Sequence, residues 1–240
     1  MLRAVFFDAA GTLFDAREPI GSTYARIARR HGLDAHDDAV AASFRRAFGA
    51  APPLAFGLGR TPADLRCLER QWWRDRVAET FAKLGAFRDF DAYFDELFAY
   101  FASPESWAAD PEAAGLLQRL KSSGLIVGVI SNFDHRLYRI LDGLGLGQSF
   151  DSITISSEAG YAKPAREVFD AAVRRHGMSP AETAHVGDSE EHDFRAAARA
   201  GMAAILIDRR APAPRKSQDR AQRVNSLASV HEVAQVLALA

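Results

Sequence analysis

Apolar residues along the chain fall into two rhythms. Residues 2–7 read Leu-Arg-Ala-Val-Phe-Phe, end at Asp8, and are followed at once by Gly11-Thr12. A short apolar run closed by a glycine turn predicts a buried strand that stops at Asp8. From about residue 19 to 101 the spacing is helical instead. Tyr24, Ile27 and Ala28 share one face, as do Val40, Phe44, Ala47 and Phe48. Leu65, Leu68, Trp72 and Val77 form a third set, and Phe90, Phe94, Leu97, Phe98 and Phe101 a fourth. Gly32, Pro52-Pro53, Gly57, Gly59 and Gly85 punctuate this stretch, which therefore reads as about four helices in a unit of their own.

Beyond Asp110 helix and strand alternate. Helices are expected over 111–123, 135–143, 165–176, 191–200 and 229–239, and strands over 125–130, 152–155, 184–186 and 203–207. Repeated strand–helix units of this length imply an α/β fold with a Rossmann-like parallel sheet and right-handed crossovers. Ligands then bind at the carboxyl ends of the strands.

Composition narrows the function classes. With 30 basic against 31 acidic residues the formal net charge is −1, so no global field draws the chain to nucleic acid or to an anionic membrane. Arg209, Arg210, Arg215, Lys216, Arg220 and Arg223 form a local basic stretch interrupted by Pro212 and Pro214, which reads as a solvated linker. No run approaches the roughly 18 apolar residues of a membrane span. Cys67 is the only cysteine, which forbids an intrachain disulfide and, with an opening that lacks the pattern of a signal peptide, leads to the expectation of a reducing cytoplasm. The oligomeric state is not legible.

Strand ends present Asp8, Ser131-Asn132 and Gly187-Asp188. Lys163, one of four lysines with Lys83, Lys121 and Lys216, sits in a Gly160-x-x-Lys163-Pro164 turn, and Asp193 lies five residues after Asp188. Carboxylates, a lysine and a serine around one cleft suit a hard cation and a phosphate. Oxygen ligands favour Mg²⁺, which is usually shared with substrate phosphate. Lysine supplies a point charge, and hydroxyl and backbone N–H groups cradle phosphate oxygens.

Four segments in order, Phe7-Asp8-Ala9-Ala10-Gly11-Thr12-Leu13, Val129-Ile130-Ser131-Asn132, Lys163-Pro164 and Val186-Gly187-Asp188-Ser189 with Asp193, resemble the motifs of haloacid-dehalogenase-like hydrolases. Arg70-Gln71-Trp72-Trp73, Ser131-Asn132-Phe133-Asp134 and His185-Val186-Gly187-Asp188 are also similar to one subfamily, the haloacid-dehalogenase-like domain-containing protein 3 group. The resemblance implies a core of residues 1–16 and 106–240 and an inserted helical cap of residues 17–105 that closes over the cleft and selects a small, phosphorylated substrate. It implies that Asp8 attacks phosphorus to form an aspartyl-phosphate. Mg²⁺ is then held by Asp8, the Ala10 carbonyl, Asp188 and Asp193. Ser131, Asn132 and Thr12 meet the transferred group, and Lys163 neutralises charge.

One position departs from the family pattern. Phosphatases of this family read Asp-x-Asp-Gly-Thr in the first motif; here the second carboxylate is replaced by Ala10, which removes the proton chemistry but leaves the backbone carbonyl for a metal. Acid–base catalysis of that kind contributes about 10²- to 10⁴-fold. The readings left open are a phosphatase for leaving groups that need little protonation, a relative of phosphonoacetaldehyde hydrolase, a dehalogenase, and a binding or regulatory protein. The second needs a Schiff-base lysine, and Lys83, the one lysine in the presumed cap, reads as a solvated helix-end residue. The third lacks the Gly-Asp pair that Gly187-Asp188 supplies. Trp72-Trp73 are candidates for the cleft roof or the cap core, His185 reads as buried scaffold, His192 as solvent-facing, Asp134 as a helix N-cap, Asp15 as part of the hinge, and Trp107 as packing.

Overall fold

The computed structural model describes residues 1–210 and 219–239. The chain opens with β1 (Ala4–Phe7) and β2 (Phe14–Ala16). Four helices follow: α1 (Ile20–Arg30), α2 (Asp37–Gly49), α3 (Pro62–Phe81) and α4 (Phe90–Ala102). After β3 (Trp107–Ala109) come α5 (Ala113–Ser122), β4 (Ile126–Ser131), α6 (Arg136–Gly143), β5 (Ser152–Ile155), α7 (Ser156–Ala159) and α8 (Arg166–Arg174). The described chain ends with β6 (Thr183–Gly187), α9 (Ala196–Ala200), β7 (Ala203–Ile207), β8 (Ala221–Val224) and α10 (Ala228–Leu239).

Six strands form one parallel sheet in the order β5-β4-β1-β6-β7-β8. Its central strands are buried along their whole length because helices cover both faces, which is why they read as unbroken apolar runs. Val5 and Phe7 pack with Leu116, Leu120 and Ile140 on one side, whereas Ala4 and Phe6 pack with Val168, Phe169 and Ala197 on the other. Burial of each phenylalanine contributes on the order of 1.5–3 kcal/mol. A one-residue slip of β1 would exchange its two faces, so the register that sets Asp8 is strongly specified.

Between β2 and β3 the four helices build a separate core around Tyr24, Ile27, Phe81, Tyr93, Phe94 and Leu97. Helix α3 starts cleanly: Thr61 caps it, Asp64 returns a bond to the Thr61 N–H, and Pro62 occupies the first helical position.

The structure departs from the sequence expectations at several places. Strands β2 and β3 form an antiparallel pair, with Asp15 opposite Ala108, at the root of the helical unit; three residues are too few to show a period. The basic stretch is not a plain solvated linker. Its residues 221–224 form β8, with Gln222 and Val224 inward and Arg223 outward. Arg223 pairs with Glu190 and lies over Phe194, while Arg209 reaches the Gly11 and Thr12 carbonyls and Asp110. Arg215 and Lys216 lie outside the described residues. The helix expected over 191–200 begins as a wide turn over Glu190–Arg195, in which the Phe194 N–H donates to the Ser189 carbonyl five residues back. Wide turns of this kind occur often at functional sites.

Candidate active site

Phe7 pairs with Val129 on one side and Val186 on the other. Asp8 therefore emerges between the ends of β4 and β6, with its N–H on the Val186 carbonyl at 2.8 Å. Ser131 ends β4 and Asp188 follows β6 directly, so the sheet register alone delivers these residues to one place. Carboxylate oxygens of Asp8, Asp188 and Asp193 all lie within 4.8 Å of one another.

Two glycines make that approach possible. Gly11 has φ +87°, and a Cβ there would lie 2.6 Å from an Asp188 oxygen. A Cβ on Gly187 would lie 2.2 Å from Asp193. Side chains at either position would push the carboxylates apart.

Lys163 is buried with its Nζ donating to Asp8 Oδ1 at 2.7 Å and to Asp193 Oδ1 at 2.5 Å. Burial opposes its charge, but the two carboxylates outweigh burial and raise its pKa. Asp193 is also buried. Burial alone would raise its pKa, yet the Lys163 charge and the bond from His185 hold it well below the carboxylate range. All of its oxygens are engaged, since Oδ2 accepts from the Ser189 N–H at 3.0 Å. Asp188 differs: it is exposed to the cleft, and its pKa is pushed up to about 6 by partial burial and by the charges of Asp8 and Asp193.

Three expected substrate-site residues acquire specific places. Ser131 is buried at the strand end. Thr12 is fully buried, with its hydroxyl 3.5 Å from Asp188 Oδ1. Asn132, expected beside the transferred group, bonds the main chain of Lys163 with both ends of its amide. Ala10 sits in the turn, bridged to Phe14. The donor set fits a hard divalent ion. It is all oxygen, it carries excess negative charge, and Asp188 faces the opening.

Sequence reasoning passed over the residues that hold this centre. His185 is buried, as expected, but it is more than scaffold: Nε2 donates to Asp193 Oδ1 at 2.9 Å. Burial lowers its pKa, so it acts as a neutral donor. Glu69 on α3 is fully buried and accepts from His135 through both Nδ1 and, at 3.3 Å, the backbone N–H. One helical turn further on, the Trp73 indole donates to Asp134 Oδ2 at 2.6 Å. Asp134 also accepts from the Arg136 N–H, as a capping residue does, and from its guanidinium. Helix α3 is thus bonded to the loop that directly follows Ser131-Asn132. Trp72 turns away, to the Pro52 carbonyl. Trp107 packs against Phe14 and Phe133, His192 is exposed, and Lys83 is exposed just past the end of α3.

A carboxylate at the end of a central strand, a buried lysine across from it and an acidic pair after the next strand, beside a helical insert, make up a site for which relatives exist. A family model described as haloacid dehalogenase-like hydrolase matches residues 2–201. The chain is 36% identical over 213 residues to haloacid dehalogenase-like hydrolase domain-containing protein 3 of Bos taurus, covering 86% of this chain and 82% of that protein. Among solved structures, an L-2-haloacid dehalogenase from Xanthobacter autotrophicus superposes with a TM-score of 0.72 at 19% identity, over 98% of this chain and 99% of that one. A HAD phosphatase from Thermococcus onnurineus gives 0.64 at 21% identity over 97% of each. This chain belongs to the haloacid dehalogenase-like hydrolase family.

Proposed function

We propose that this protein is a Mg²⁺-dependent phosphohydrolase for a small phosphorylated molecule, with Asp8 as nucleophile. The observation that carries the reading is the convergence of three carboxylates around Lys163, with the Asp188 pKa pushed up to about 6. A divalent cation relieves that repulsion. Asp8, Asp188, the Ala10 carbonyl and, directly or through water, Asp193 would hold it, and the bound ion would draw charge from the phosphoryl oxygens.

The chain's own residues do the rest. Asp8 attacks phosphorus as the ester P–O bond breaks, and water then attacks the aspartyl-phosphate to release phosphate and restore the carboxylate. Lys163, held by Asn132 behind and by Asp8 and Asp193 in front, neutralises charge on the nucleophile and the phosphoryl group. Ser131 meets the transferred group, and Thr12 steadies Asp188. Ala10 supplies no proton, so the leaving group must depart with little help. The insert of residues 17–105 serves as the cap. No described helix is long and apolar enough to cross a membrane, and the single, exposed Cys67 suits the reducing cytoplasm.

The test is release of phosphate from p-nitrophenyl phosphate and a phosphate-ester panel, with and without Mg²⁺, by wild type and Asp8→Asn. Turnover that needs both Mg²⁺ and Asp8 supports the reading, and an inert, folded wild type overturns it. Dehalogenation is the second reading, favoured by Ala10 because a halide leaves without a proton. The acidic triad calls for a divalent cation, which serves phosphoryl transfer and is not needed for halide displacement, so the phosphate reading leads. Metal-independent halide release from a 2-haloacid would reverse that order.

A further inference from the structure

Under the helical unit lies a cavity of about 70 Å³ that the proposed chemistry leaves unassigned. Its walls come from both parts of the chain. Tyr24, Phe44, Trp73 and Phe98 belong to α1–α4, while Trp107 and Phe133 belong to the sheet side. Both of the latter stand one step from the catalytic residues. Phe133 follows Asn132, whose amide holds Lys163. Trp107 packs on Phe14 with ring centroids 5.3 Å apart, and Phe14 is bridged to Ala10.

The one charged group in the wall is Arg136, and its charge is already matched. Asp134 accepts from its guanidinium at 2.8 and 2.6 Å, and its face rests on Phe98 and Trp73. The indole N–H groups of Trp73 and Trp107 donate to Asp134 and to the Phe101 carbonyl, so they too are satisfied. A space this size has room for water, but water needs two to four polar partners and these walls offer few. Apart from the Tyr24 hydroxyl the free lining is apolar, so the cavity favours an apolar group over a second phosphate or a carboxylate. A void confined to one helical core would be a packing defect. This one is walled from both parts of the chain, beside the Glu69–His135 and Trp73–Asp134 bonds that join α3 to the loop after Ser131-Asn132.

We infer that the cavity is the subsite for a small apolar group on the substrate, so that the natural ligand is a phosphate monoester of a short branched-alkyl or single-ring alcohol rather than a sugar phosphate or a polyol phosphate. The inference rests on the phosphohydrolase reading for the position of the phosphate, at Lys163 and the acidic triad. Phe133 then separates the two subsites, with the phosphate before it and the apolar group beyond it.

Non-hydrolysable alkylphosphonates test this without relying on turnover. Binding of a branched series from methylphosphonate to isohexylphosphonate would be measured by calorimetry at millimolar Mg²⁺. Each methylene moved from water into the cavity strengthens binding by about fourfold. Affinity for wild type should therefore climb at least tenfold along the series and then level off as the cavity fills. Val77, which lines the cavity and is buried, provides the blocking variant. Val77→Phe should flatten the series while leaving methylphosphonate affinity unchanged. Phe44, which is only partly buried, provides the enlarging variant. Phe44→Ala should move the plateau to longer chains, and it decides the matter if Val77→Phe does not fold. A flat series in wild type, or a plateau that neither folded variant moves, overturns the inference. If no phosphonate binds, the inference also falls, and the phosphohydrolase reading is then judged separately by Mg²⁺- and Asp8-dependent turnover of p-nitrophenyl phosphate.

Discussion

Asn132 grips Lys163 by its main chain: its Nδ2 donates to the Lys163 carbonyl at 2.8 Å, and its Oδ1 accepts from the Lys163 N–H at 2.7 Å. The strand end after β4 and the lysine turn before α8 are thereby one rigid piece, and Nζ is delivered between Asp8 and Asp193. Asn132→Ala should lower kcat for p-nitrophenyl phosphate by ten- to a hundredfold with a smaller change in KM, because a misplaced charge harms the transition state more than binding. Asn132→Asp keeps the acceptor and loses the donor, so it should fall between. A wild-type kcat in Asn132→Ala would show that Lys163 is held by its carboxylate partners alone.

Asp188 couples folding to pH and, on the proposed reading, to Mg²⁺. Its pKa in the fold, about 6, lies above its ordinary value of 3.8, so folding favours the protonated acid. That contribution is complete below about pH 4 and is lost as pH rises through 6. Asp193 has the opposite sign, its pKa being lowered, so the comparison must isolate Asp188. In metal-free protein, the difference in Tm between Asp188→Asn and wild type should grow in the variant's favour from pH 4 to 7. The amplitude is modest because Asp188 is open to solvent. Mg²⁺ held as proposed would bind the ionised form, so it should stabilise wild type more at pH 7.5 than at pH 5. At about ten times Kd, the gain is about 1.4 kcal/mol, or roughly 3–5 °C for a chain of this size. Equal Mg²⁺ shifts at both pH values would place the ion away from Asp188.

The sheet and the convergence of the candidate residues were legible in the sequence for the same reason. Buried parallel strands read as short apolar runs, and Asp8, Ser131 and Asp188 stand at or just past their ends, so finding the strands finds the residues. What stayed hidden lies in contacts between segments far apart in the chain. Nothing near Glu69 announces that its carboxylate is buried against His135, 66 residues away. His185 sits inside a strand, where period 2 predicts burial but not the Asp193 oxygen that it meets. Asn132 was legible as a polar residue at a strand end, but its partner, the main chain of Lys163, has no side-chain signature. Strand β8 was masked because a short edge strand with an outward arginine looks like a charged linker.

The Glu69–His135 contact makes a separate prediction about the insert. Glu69 is fully buried, and its carboxylate takes both of its hydrogen bonds from His135. His135→Ala removes the ring and leaves a buried carboxylate short of a donor, which should cost on the order of 3 kcal/mol, or roughly 6–12 °C in Tm. It should also speed proteolysis within residues 19–101 if seating of α3 depends on the contact. Glu69→Leu in the His135→Ala background removes the stranded charge and should recover much of the loss, as a double-mutant cycle would show. Additive effects in the double variant would mean that the two residues do not act as a pair.

Ala10 makes the sharpest prediction about chemistry. On the phosphohydrolase reading, Asp8, Lys163, the acidic pair and the two glycines that let the carboxylates approach supply what phosphoryl transfer needs. The site lacks only a proton donor above Asp8. Dependence on the leaving group should therefore be steep, with p-nitrophenyl phosphate and acyl phosphates turned over well ahead of alkyl phosphates. Ala10→Asp should then raise alkyl-phosphate turnover, by up to about 10²-fold, and change acyl-phosphate turnover little. Ala10 is partly exposed, bridged to Phe14 and packed against the core cluster, so the new side chain must find room beside that packing. A crystal structure of the variant would establish whether the new carboxylate stands over Asp8. If it does and every phosphate ester remains inert, phosphate monoester hydrolysis is the wrong chemistry. A leaving group that needs no proton, such as a halide, then becomes the reading to pursue.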